Sequence, residues 1–135
     1  MNILNEILAD IELLKSTPGA LDLQTGLEVQ QRLAANSMTL ATMVADAAEN
    51  RNNAEYMYKT SLNSYMVNYP DKLSEKKLEG LAKEEYKMFY RDLVDKENIF
   101  QRLTLILRQT NINIETLRQT NSQLKVEYRR EVQAG

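Results

Sequence analysis

The chain has 135 residues, of which 43% are hydrophobic and 27% charged, with a formal net charge of −2 and only 4 Gly and 2 Pro. It is too apolar for a disordered chain, too poor in turn residues for a sandwich or barrel, and of a length that suits one domain with a modest core. Cys and His are both absent, which excludes disulfides, thiolate nucleophiles, zinc motifs and Ser–His–Asp or Cys–His catalysis.

The first expected helix runs from about Ile3 to Lys15, within residues 1–16. Ile3, Leu4, Ile7, Leu8, Ile11 and Leu14 recur at helical spacing and form one wide apolar stripe. Asn2 or Asn5 is a suitable cap. Ser16-Thr17-Pro18-Gly19 is the expected stop, because Pro lacks the N–H and Gly frees the backbone. No apolar run approaches the ~20 residues of a membrane span. The opening Met1-Asn2-Ile3-Leu4-Asn5-Glu6 alternates apolar and polar residues where a signal peptide would build an apolar stretch. The expectation is a cytoplasmic protein with no membrane contact.

The second segment, 22–69, begins near Asp22 or Thr25. Its seam is Leu33, Ser37, Leu40, Val44, Ala47, Arg51, Ala54, Tyr58, Leu62, Tyr65 and Tyr69, with steps of 4 and 3, as in a heptad pattern. Between Ala41 and Ala54 the seam is small or polar, and Asn50-Arg51-Asn52-Asn53 interrupts it. Asn has low helix propensity, so this stretch reads as a solvated or loosely packed part, as a break into two helices, or as polar groups facing a partner. Asn68-Tyr69-Pro70-Asp71 marks a turn, since the residue before Pro is pushed out of the α region.

The third segment, 74–132, has Ser74 as its expected N-cap and Glu75 at the positive end of the helix dipole. Its seam runs Tyr86, Phe89, Leu93, Lys96, Phe100, Leu103, Leu107, Thr110, Ile114, Leu117, Asn121, Leu124 and Tyr128, without Gly or Pro between Gly80 and Gly135. Continuous from Glu75 to Val132, such a helix would be about 85 Å long at about 1.5 Å per residue. A helix of that length must protrude or pack on other chains. Phe100, Leu103, Leu107, Ile114, Leu117, Asn121, Leu124 and Tyr128 are therefore the expected self-association residues, with Asn121 as a buried amide of the kind that selects register. The expected fold is all-α: an elongated helical hairpin or bundle of three to four helices in a single domain over 1–135, with a long C-terminal helix, oligomerising.

Charge is unevenly placed. Residues 1–50 carry Lys15 and Arg32 against seven acidic residues, whereas residues 51–135 carry fifteen basic residues against twelve acidic ones. Lys59, Lys72, Lys76, Lys77, Lys83, Lys87 and Arg91 gather around the Pro70 turn, close in sequence to Tyr56, Tyr58, Tyr65, Tyr69, Tyr86 and Tyr90. Cations that follow phosphates, interleaved with rings on which bases stack, make a surface for single-stranded nucleic acid, and the nine residues expected to bind it are Lys59, Tyr65, Tyr69, Lys72, Lys76, Lys77, Lys83, Lys87 and Arg91. The same residues also read as i,i+4 ion pairs with Glu75, Glu79, Glu84 and Glu85 and as rings filling a core. No phosphate-cradling glycine loop occurs. The carboxylates Glu75, Glu79, Asp92 and Asp95 read as solvated faces, because di-iron bundles pair Glu with His. A non-enzymatic protein with no cofactor, no metal and no small-molecule substrate is expected.

The order of a short first helix, a long helix ending in tyrosines, a basic turn and a second long helix resembles the small phage recombination mediator proteins of the UvsY type, over roughly residues 25–130. Lys59-Thr60-Ser61-Leu62 followed by Tyr65 is similar to that family's Lys-x-Arg-Leu segment leading into tyrosines, with Ser61 standing where the family has Arg. The resemblance implies that Lys59 and Tyr65 contact single-stranded DNA. It also implies an oligomer, in ring form, that helps a recombinase load where single-strand-binding protein was bound. The alternative is a helical protein–protein module, namely an adaptor, inhibitor or phage assembly factor, with no nucleic-acid role.

Overall fold

Four helices account for nearly all of the computed structural model, which describes residues 2–16 and 21–134, and no strand occurs among the described residues. They are α1 (Ile3–Ser16), α2 (Leu23–Asn68), α3 (Glu75–Glu85) and α4 (Lys87–Ala134). The Thr17-Pro18-Gly19 part of the expected stop after α1 lies outside the described residues. No described helix is long and apolar enough to cross a membrane.

Local chemistry fixes where the helices start. Asn2 Oδ1 accepts the Leu4 N–H at 2.9 Å, so Asn2 caps α1. Asp22 Oδ1 accepts the Thr25 N–H at 2.7 Å, satisfying one of the donors a helix N-terminus leaves free. That bond holds the Asp22 carboxyl below its usual pKa. Ser74 caps α3, its hydroxyl accepting the Lys77 N–H at 3.3 Å.

Helix continuity answers one question that the sequence leaves open and departs from one expectation. Asn50-Arg51-Asn52-Asn53 does not break α2, which is one helix of 46 residues; neighbouring contacts outweigh the weak propensity of Asn. The segment read as one helix over 74–132 is instead divided at Tyr86, whose φ of −107° and ψ of 26° leave the helical region. The Tyr86 carbonyl accepts both the Phe89 and the Tyr90 N–H, and its ring meets Tyr65 of α2. No Gly or Pro marks this position; a tertiary aromatic contact accompanies the break.

The chain forms two compact units, Met1–Met43 with Thr104–Gly135, and Val44–Leu103. In the first unit α1 lies antiparallel to the start of α2. Arg32 forks onto Asp10, with Nη2 2.8 Å from Oδ1 and Nε 3.2 Å from Oδ2, and Asn36 donates to Glu6 at 3.3 Å. Asp10 is almost fully buried, so its charge requires this partner. Ile7, Val29, Leu33 and Leu40 lose all solvent contact, each burial worth about 1.5–3 kcal/mol. Leu103 of the second unit and Ile114 and Leu117 of the first are also buried.

Asn121 of α4 is 3% exposed and its amide donates to Gln30 Oε1 at 2.8 Å. Gly26, one helical turn before Gln30, is buried beneath it: a Cβ built there would overlap Asn121 Oδ1 and lie 3.3 Å from its Cγ. A small residue on α2 is therefore what lets the amide sit between the two helices.

In the second unit α2 and the α3–α4 segment run antiparallel, with Tyr65 against Tyr86, Tyr58 against Tyr90 and Arg51 against Glu97. The small seam residues Ala47 and Ala54 are buried.

The Gly26–Asn121 approach predicts a reversal of sign. In the parent chain Gly26→Ala should destabilise, because the new methyl displaces the Asn121 amide and breaks its bond to Gln30. In an Asn121→Ala background the same change should stabilise by about 1 kcal/mol, the helix propensity gained over Gly. Urea denaturation of the four proteins measures both effects, and equal effects of Gly26→Ala in the two backgrounds would refute the close approach.

Candidate nucleic-acid interface

The turn between α2 and α3 assembles its groups from both sides of Pro70. Because Pro70 denies Tyr69 the α conformation, α2 ends at Asn68. Tyr65 and Tyr69, one helical turn apart, have ring centroids 5.7 Å apart, and Tyr65 meets Tyr86 edge-on at 6.2 Å. Tyr86 in turn lies 5.4 Å from Phe89. These tilted and edge-on arrangements are the favourable ones for aromatic pairs. Ser64, Tyr65, Asn68, Tyr69, Pro70 and Tyr86 line an open cleft of about 420 Å³. Burial, with smaller contributions from Tyr69, Glu85 and Tyr86, pushes the Tyr65 hydroxyl above its ordinary pKa, so it remains a neutral donor.

The nine residues expected to bind nucleic acid divide by their partners. Tyr65 and Tyr69 belong to the cleft. Lys72, Lys76 and Lys77 are exposed and form no ion pair among the described residues. Arg91 is exposed too, its only polar side-chain contact among the described residues being Nη1 to Met88 Sδ at 3.8 Å. Lys59 and Lys83 are instead paired along their own helices, with Glu55 at 2.7 Å and Glu79 at 2.8 Å, and Lys87 at the start of α4 is paired across the Tyr86 break with Glu84 of α3 at 3.2 Å. The hydrogen bond from Lys83 lowers the Glu79 pKa and raises that of Lys83, and Lys59 lowers that of Glu55 in the same way. The second unit as a whole is not basic, its ten Lys and Arg facing eleven Asp and Glu. Its positive character is local to residues 72–77. Among the described residues, no three carboxylates converge as a metal site requires.

Tyr86, Ser64 and Asn68 were not singled out as site residues by the sequence. The signal for Tyr86 was present, since it is one of the tyrosines around the turn, but its place on the seam read equally as core.

The residues expected to drive self-association are placed as follows. Leu103, Ile114, Leu117 and Asn121 are buried by the chain's own helices, and Phe100, Leu107 and Leu124 are half-buried. Tyr128 alone among them is exposed, at 63%. Further along the second unit, Asn50, Asn53, Met57, Phe89 and the Asp92–Lys96 pair border a second open groove of about 320 Å³. On the neighbouring face Arg51 bridges α2 to Glu97 of α4, and Glu97 also accepts from Gln101 at 2.9 Å.

No family model, curated protein or solved structure matches the chain.

Glu97 supplies a prediction in acid. Its hydrogen bonds from Arg51 and Gln101 lower its pKa in the folded state. The stabilisation it provides is thus complete above the unfolded value of about 4.3 and is lost as pH falls through the folded value. Glu97→Gln should melt at lower temperature than the parent at pH 7, and the gap should narrow as pH falls below about 4. Circular-dichroism melts of the two proteins across that range measure it, and a gap independent of pH would contradict the assignment.

Proposed function

We propose that the chain is a non-catalytic protein that binds single-stranded nucleic acid at the turn between α2 and α3. The observation that carries this reading is the sequence of three unpaired lysines, Lys72, Lys76 and Lys77, directly after a cleft walled by Tyr65, Tyr69 and Tyr86. Cations without acid partners are free to neutralise phosphates, and rings at the edge of an open cleft offer faces to unstacked bases. Ser64 and Asn68 add hydrogen-bonding groups beside them. Lys59, Lys83 and Lys87 form a second tier. Exposed ion pairs contribute only about 0–1 kcal/mol, so a phosphate can take the place of the glutamate.

The resemblance to UvsY-type mediators narrows the ligand to single-stranded DNA and gives the binding a purpose. The protein would organise the strand so that a recombinase replaces single-strand-binding protein on it, breaking no bond itself. Self-association would multiply a weak patch through avidity.

A protein-binding role is the second reading, favoured by the groove bordered by Asn50, Asn53, Met57 and Phe89. Its exposed apolar side chains and two amides suit a peptide segment better than a phosphate chain.

Fluorescence anisotropy with a labelled single-stranded oligonucleotide at rising salt separates the two. The parent should bind at low ionic strength with a log–log salt slope of about −0.7 for each phosphate neutralised. Reversal of Lys72, Lys76 and Lys77 to Glu should weaken binding at least about tenfold and flatten the slope by about 2. Absence of binding by the parent at low salt would sink the nucleic-acid reading and leave the protein-binding one.

A further inference from the structure

We propose that the last turns of α4 form a second contact for the single-stranded nucleic acid, made by Lys125, Tyr128 and Arg129. The inference rests on the reading of the chain as a nucleic-acid binder, but not on the turn between α2 and α3 being the place. Every residue from 125 to 134 is exposed, so no other described element covers this end of α4. The apolar stripe inside the first unit ends with buried Asn121 and half-buried Leu124. Beyond it Tyr128 is 63% and Val132 62% exposed.

Helix geometry separates this end from a merely solvated one. Residues three and four apart share a face, which aligns Lys125, Tyr128, Arg129 and Val132. The positions three and four away from Lys125 within the chain are Asn121, Ser122, Tyr128 and Arg129, and those around Arg129 are Lys125, Val126, Val132 and Gln133. Neither cation has a carboxylate within reach on its own helix. Lys59, Lys83, Lys96 and Arg118 all have one, and all are paired with it. Glu127 lies two residues from each of Lys125 and Arg129, on a different face. Lys125 and Arg129 also repel each other as like charges four apart. The cost is unrelieved inside the chain, and neither residue forms an ion pair among the described residues.

An anion laid along this face removes that repulsion. The exposed Tyr128 ring between the two cations selects among anions. A phosphate chain with unstacked bases occupies both kinds of group at once, the cations following the backbone and the ring stacking a base. The helix dipole does not account for the pair, since the last turn of α4 contains no basic residue.

The test uses the full chain and a fluorescein-labelled oligo-dT, read by anisotropy at several salt concentrations, with light scattering at the same protein concentration. Lys125→Glu with Arg129→Glu should weaken binding at least about tenfold and flatten the salt slope by about 1.4, the share of two phosphates. Tyr128→Ala should weaken it roughly fivefold or more with the slope unchanged, as loss of stacking requires. Exchange of the two cations for each other's type, K125R with R129K, should retain the parent's slope. All these positions are exposed, so the variants should keep the parent's melting temperature. Parental affinity and slope in the Lys125→Glu, Arg129→Glu protein would overturn the proposal. So would a loss of affinity accompanied by a lower mass in light scattering, which would assign the face to contacts between copies. Binding of this face to phosphatidylserine vesicles without binding to the oligonucleotide would overturn it in favour of a membrane surface. If reversal of Lys72, Lys76 and Lys77 leaves affinity intact while the α4 variant loses it, the turn reading fails and this one stands. No binding by the parent removes both.

Discussion

α4 presents buried or half-buried side chains at alternating steps of three and four from Leu93 to Leu124, and a helix with such a stripe gains its stability from whatever covers that stripe rather than from intrinsic propensity. The cover comes from the same chain. In the first unit α1 and the start of α2 supply Ile7, Ile11, Val29, Leu33 and Leu40, and in the second the small residues Ala47 and Ala54 let the helices approach. Most other features follow from this requirement. Gly26 is small because Asn121 must fit against it, Arg32 reaches back to Asp10 because α1 must stay docked, and Thr110, fully buried on α4, satisfies its hydroxyl on the Ile106 carbonyl at 2.7 Å. Each polar group on the stripe is answered locally or across one helix pair, as burial demands.

The distribution of free charge follows from the same helical geometry. Lys59 and Lys83 are neutralised by a glutamate one turn away on their own helices, whereas Glu79, within reach of Lys76, is taken by Lys83, and Lys77 and Lys125 have no carboxylate three or four residues away. Net charge therefore says little about where an anion would be met. Position within the helical repeat and the partner each glutamate takes say more, and among the described residues they leave Lys72, Lys76 and Lys77 near the turn and Lys125 and Arg129 near the end of α4 without an ion pair, as they do Arg102 and Arg108 between them.

Much of the fold was legible in the sequence because long helices announce themselves through period and caps. The 3–4 seams, the Ser74 cap, the break before Pro70 and the Asn2 start all translate one residue pattern into one local structure. The division at Tyr86 was not legible, since it accompanies a ring contact with Tyr65 that joins distant parts of the chain, and no Gly or Pro signals it. The fate of the α4 seam was likewise hidden: a heptad pattern states that a stripe is covered, not by which chain. At the candidate site, the clustering of basic residues was visible, but which of them keep a free charge depends on the rotamers of Glu55, Glu79 and Glu84. The cleft beside Tyr65 depends on where Tyr86 is carried by the turn.

The antiparallel pairing has a consequence for how the chain finds its structure. The Tyr65–Tyr86 contact closes the shortest loop between α2 and the segment after it, Arg51 and Glu97 are separated by 46 positions, and Gln30 and Asn121 by 91. Loop-closure entropy rises with the logarithm of loop length, about 0.6 kcal/mol for each doubling. The turn is thus the cheapest place for the two long helices to meet, and every pair formed there shortens the effective loop for the next. The aromatic contacts around Pro70 act as the starting teeth of a zipper, and the buried amide of Asn121 is among its last.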